Sequence, residues 1–187
     1  MSTPLTRQML ESVFAPEELL TVPPDLLGQI PNADVVEVLG TLGIPRWENP
    51  VFDVDVTFGT RFETVADWDW TLEGNYPNVP AGADDWIGLA LSFYDSLAFD
   101  PVSGTVFCIP QEGEIHRVNS SLRAFVHFHY VLKSTKSEWD FAGRSADTET
   151  IRRHLLDGMT DVDPTALEIP DSCWPRVIDY LADPDVL

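Results

Sequence analysis

A chain of 187 residues suits one packed domain and is too short for two large ones. Hydrophobic residues make up 44% and aromatics 11%, ten Phe and six Trp among them, which is enough apolar side chain to form a core and argues against disorder. The formal net charge of −20, from 31 acidic and 11 basic residues, repels nucleic acid and anionic membranes and suits a cationic partner; its plainer reading is solubility.

The opening MSTPLTRQML lacks a basic stretch followed by an apolar run, and no apolar segment reaches the roughly 18 residues of a membrane span, so a cytoplasmic protein is expected. Cys108 and Cys173 stand far apart without metal-ligand spacing and read as two buried or free thiols rather than a disulfide. Repeats and low-complexity tracts are absent. A single domain over 1–187 is expected, with a helical extension at 1–30 and an acidic insert at 67–85.

Residues 5–14 and 16–20 read as short helices ended by Pro23-Pro24. A helix from Asn32 follows, with Val35, Val36, Leu39 and Leu42 at helical spacing and Gly43 as its stop. Residues 51–58 alternate as a half-buried strand, Phe52, Val54, Val56 and Phe58 on one face and Asp53, Asp55 and Thr57 on the other. Trp86 to Phe93 and Leu97 to Phe99 are apolar enough for strands covered on at least one face. Asp100-Pro101-Val102-Ser103-Gly104 is a turn before a return strand, Thr105 to Ile109, and one more strand is expected at Glu114 to Val118. Asn119-Ser120-Ser121 opens a helix that the Asn or a Ser can cap, with Leu122, Phe125, Val126, His129 and Leu132 on its packed face. Two further helices read at 147–157 and 172–182, the last turning Trp174, Val177, Ile178 and Leu181 inward. Strands in the middle with helices at both ends give an α+β layout.

Catalytic and metal chemistry finds little support in the sequence. His127 and His129 lie two apart, which on a helix points them about 200° apart, and there is no HExxH or CxxC. His129 is expected at the edge of the core. No nucleophile elbow and no phosphate loop occurs, so no catalytic residue, no metal and no cofactor is assigned. A small hydrolase using an acidic pair stays open as an alternative, since acids this numerous offer many spatial pairs.

Charge is uneven along the chain. From Trp47 to Asp100 there are eleven acidic residues and one basic, Arg61, whereas Arg117 to Arg153 holds seven basic and four acidic. The segment Asp67-Trp68-Asp69-Trp70 to Glu73, then Asp84-Asp85-Trp86, interleaves aromatics with acids and suits a surface that anchors on Trp and selects a basic partner by charge. Against this stands the reading that these tryptophans fill the core.

The order Leu97-Ala98-Phe99-Asp100-Pro101, Ser103-Gly104-Thr105-Val106 and Val118-Asn119-Ser120-Ser121-Leu122 resembles the SUKH superfamily, and within it the SUKH-4 type of immunity protein. Leu42-Gly43-Ile44-Pro45, Ile87-Gly88 and Ser172-Cys173-Trp174 agree, so the resemblance spans roughly residues 38 to 182. It implies an α+β fold around a mixed, mainly antiparallel sheet, and a protein that neutralises a toxin by binding it, monomeric when free. The acidic charge read above, not the resemblance, suits a toxin domain that is basic and acts on nucleic acid. A regulatory or scaffolding module of the same fold is the alternative. The motif residues Gly88, Asp100, Gly104, Asn119, Ser120 and Trp174 are expected to be structural, because turn and cap geometry explains them. The acidic insert matches nothing in the family pattern.

Overall fold

Prolines and capping side chains break the start of the chain into short pieces. In the computed structural model, which describes residues 4–141, 143, 145–169 and 172–183, helix α1 is Arg7–Glu11, capped by the Thr6 hydroxyl accepting from the Met9 N–H at 3.2 Å. Residues 1–3 of the expected extension and 184–187 of the expected domain lie outside the described residues. Only Pro16–Glu18 is helical within the stretch expected at 16–20, as one 3-10 turn. Leu19–Leu20 is instead strand β1, paired antiparallel with β2, Ile44–Pro45, once α2 (Pro24–Leu27) and α3 (Ala33–Glu37) have brought the chain back. The helix begun at Asn32 widens into a π-helical turn, Val38–Leu42, and stops at Gly43, whose φ of 84° is open to glycine.

The alternating middle of the chain forms a five-stranded meander: β3 (Phe52–Val54), β4 (Ile87–Ser92), β5 (Asp95–Phe99), β6 (Val106–Ile109) and β7 (His116–Asn119). Each strand pairs antiparallel with the next, so the sheet carries no parallel pair among its described strands, unlike the mixed sheet that the resemblance implies. The strand expected over 51–58 is also shorter. After Val54 the Asp55 carboxylate accepts the Thr57 N–H at 2.7 Å and its carbonyl accepts the Phe58 N–H, turning the chain out of the sheet. Phe58 still reaches the core, but Val56 is 64% exposed.

Helices cover one face. α4 (Leu122–Ser134) starts at Ser121, whose hydroxyl accepts from the Ala124 N–H, and it buries Leu122, Phe125, Val126, His129 and Leu132 as their spacing predicts. α5 (Lys136–Trp139), α6 (Thr148–Thr160) and α7 (Cys173–Ala182) complete the layer, with Trp174, Val177, Ile178 and Leu181 inside. The α+β layout is the one read from the sequence. His129 lies deeper than the core edge expected for it: it is wholly buried against Phe52 and Phe125, its Nδ1 accepting from the Trp47 indole at 3.4 Å. Burial holds its pKa down at about 3. Cys108 and Cys173 are buried and unlinked, and burial pushes both thiols up, Cys173 to about 12, which suits inert core residues. Among the described residues no helix is long and apolar enough to cross a membrane.

Candidate functional site

Strand alternation sends every second residue of the sheet away from the helices. The register aligns these outward residues in two rows, Asp53–Leu91–Ser96–Ile109 and Gly88–Ala98–Phe107–Arg117, separated by a bulge at Leu89. The acidic insert folds over the second row. Two backbone bonds tie it down, Val65 N–H to the Trp86 carbonyl and Gly88 N–H to the Glu63 carbonyl, both at 2.9 Å. Val65, Leu72, Ala83 and Trp86 then bury themselves against Ala98 and Ile109, a second small core on the face opposite the helices.

The tryptophans divide by depth. Trp86 is 3% exposed and stacks on Phe107 with ring centroids 3.9 Å apart, so it holds the insert to the sheet and is not the surface anchor expected of it. Trp68 is half-buried over Gly88, where a Cβ would come within 3.4 Å of the indole ring. Trp70 is 39% exposed and continues an aromatic run, 5.3 Å from Trp68 and 6.3 Å from Tyr76, whose hydroxyl donates to the Pro110 carbonyl.

Asp67, Asp69, Glu73, Asp84 and Asp85 of the insert are all exposed, and none forms an ion pair among the described residues. Asp67 has a local duty as well: it accepts the Thr64 N–H at 2.9 Å and the Thr64 hydroxyl at 2.8 Å, and those bonds hold its pKa below the usual carboxylate value. Several basic residues are engaged away from the insert, although Arg117 stands exposed on the outward row. Arg123 binds Asp34 and Glu37, Arg152 binds Asp179, Arg176 binds Asp95 and Lys133 binds Glu18. These pairs occupy basic side chains that lie away from the insert, whose five carboxylates keep their charge without an ion pair among the described residues.

The motif residues knit the scaffold together. Asp100 accepts from the Val102 N–H at 2.8 Å and the Ser103 hydroxyl at 2.7 Å, and Gly104 completes the turn at φ 80°. Asn119 is buried rather than capping α4. Its amide donates to Asp163 at 3.3 Å and its oxygen accepts from the Trp174 indole at 2.8 Å, while the Ser120 N–H donates to the same Asp163 carboxylate at 2.7 Å. Local turn signals could not reveal Asp163, because its partners lie 43 and 44 positions away. Leu91 and Ser96 of the outward row were also hidden, Leu91 inside an apolar run expected to be covered on at least one face, which did not tell which residues face out; it is 47% exposed.

No group of three or more His, Cys, Asp or Glu among the described residues could hold a metal ion. Neither the curated proteins nor the solved structures compared with the chain gave a match. A family model described as SUKH-4 immunity protein matches residues 5–180, taking in the N-terminal helices, which lie outside the 38–182 resemblance, and the acidic insert as well. Turn, buried Asn–Trp pair, helix layer and insert thus all fall within one family region, and the chain belongs to the SUKH-4 immunity protein family.

Proposed function

We propose that the chain neutralises a cationic toxin domain by stoichiometric binding in the cytoplasm, with the insert-covered face of the sheet as the docking surface. The five exposed carboxylates of the insert, none in an ion pair among the described residues, carry this reading together with the exposed Trp70. A toxin that acts on nucleic acid needs a basic groove for the phosphates, and an acidic face can occupy that groove in their place. Such blocking needs no catalytic residue on the immunity protein, which fits the non-enzymatic role that an immunity-protein family suggests.

The test is co-expression with the cognate toxin domain. Growth should be restored only when the chain is made in at least equal amount, and the two proteins should elute as a one-to-one complex from a free monomer. Protection at trace levels, without a complex, would point to turnover and contradict binding.

A further inference from the structure

The insert buries Ile109 but leaves the Asp53–Leu91–Ser96 stretch of the first row open. Beside that stretch a groove of about 410 Å³ runs along the Trp68 indole, lined by Asp53, Asp55, Glu63, Gly88, Leu91 and Ser96 among others. We infer that this groove receives an arginine side chain from a loop of the partner, its guanidinium against Trp68 and its charge beside Asp53 and Glu63.

Charge selects the sign of the occupant. No Lys, Arg or His lines the groove, whereas three carboxylates do. Asp53 forms no ion pair among the described residues, and Glu63 is met only by Arg61 at 3.3 Å, whose side chain is 69% exposed and free to swing away. Shape and polarity select its kind. A groove of about 410 Å³ has room for one long side chain. A small hydrated cation would leave the Leu91 floor and the indole wall unused. Arginine uses all three surfaces, since its stem lies on apolar carbon, its plane stacks on an indole and its fork matches carboxylates. The indole wall lies directly over Gly88, 3.4 Å from where a Cβ would stand.

The source of that arginine rests on the docking reading above, but the groove can be tested without a toxin. N-acetyl-arginine amide and its uncharged isostere N-acetyl-citrulline amide are titrated into the isotopically labelled full chain at about 0.15 M salt, where distant charges are screened. The arginine compound should shift the Trp68 indole N–H and the Gly88 and Leu91 amides together and saturably, with the citrulline compound several-fold weaker. Asp53→Asn with Glu63→Gln should weaken it about threefold or more, the scale of two exposed ion pairs. Ser96→Leu, which fills the floor and keeps every carboxylate, should weaken it too, with melting temperatures confirming that both variants fold. Equal shifts at Asp69, Asp84 and the groove, equal responses to the two compounds, or unchanged binding by Ser96→Leu would overturn the site. Because no toxin takes part, that failure would leave docking by the insert standing, and a failure of toxin docking would leave a positive titration intact.

Discussion

Trp86 lies flat on Phe107, their rings 6° from parallel, although the first residue ends the acidic insert and the second sits in the middle of a strand. That contact makes the insert part of the fold rather than a loose loop, and it sets Trp86 apart from Trp70. Trp86→Ala should cost about 3–5 kcal/mol, a drop of about 10 °C or more in melting temperature. Trp70→Ala should cost about 1 kcal/mol or less and speed dissociation from the toxin instead. Thermal melts and dissociation kinetics on the two variants check the division; equal stability losses would refute it.

Asp163 serves as the buried acceptor for the strand-to-helix joint. Asp163→Ala strands the Ser120 N–H, the Asn119 amide and the Thr165 hydroxyl, each of which now donates to it. The expected loss is about 3 kcal/mol by urea unfolding, and about half that for Asp163→Asn, which keeps an acceptor oxygen. Asn119→Ala should resemble the larger loss, since Trp174 would also lose its partner.

Acid should weaken the fold through His129. Its pKa is about 3 when folded against 6.5 in the open chain, so below pH 6.5 the unfolded chain takes up the proton first. The stability tied to neutral His129 is whole above that pH and is lost at about 1.4 kcal/mol per pH unit on the way down to about 3. His129→Leu removes this slope, at a constant cost for the Trp47 indole left unpaired. Stability measured at several pH values should therefore shift in favour of the variant as pH falls. Parallel curves would show that His129 does not titrate on unfolding.

Gly104 has φ 80°, and a Cβ there would stand 3.0 Å from Val35 Cγ2. Gly104→Val should lose about 2 kcal/mol or more, from the left-handed strain together with that contact, and binding measured well below the melting temperature should be unchanged. A stable variant that fails to bind the toxin would make the turn a contact site.

What could be read from the sequence was local. The Asp100 turn, the stop at Gly43 and the inward face of α4 each follow from residues within one or two turns of chain, and the structure has all three. Misreadings arose where a distant partner decided the outcome. Leu19 and Leu20 became a strand because Ile44 and Pro45 offered an edge, and Asn119 went inside because Asp163 and Trp174 could satisfy its amide. Val56 fits the strand alternation, yet the Asp55 side chain competes for the backbone and turns the chain first. For the insert, the acids were legible as a cluster, but which Trp faced outward depended on Phe107, which no spacing rule connects to Trp86.

On the proposed function, the insert acids steer and hold a cationic toxin domain. Replacing Asp67, Asp69, Glu73, Asp84 and Asp85 by their amides leaves an oxygen at position 67 to accept from Thr64, so the fold should persist. The decisive measurement is the association rate with the cognate toxin domain, at low and at high ionic strength, for the wild-type chain and the five-amide variant. Association of the variant should be about tenfold or more slower at low salt, with a flattened salt dependence. An unchanged rate together with an unchanged salt slope would contradict the claim and leave the negative charge to solubility.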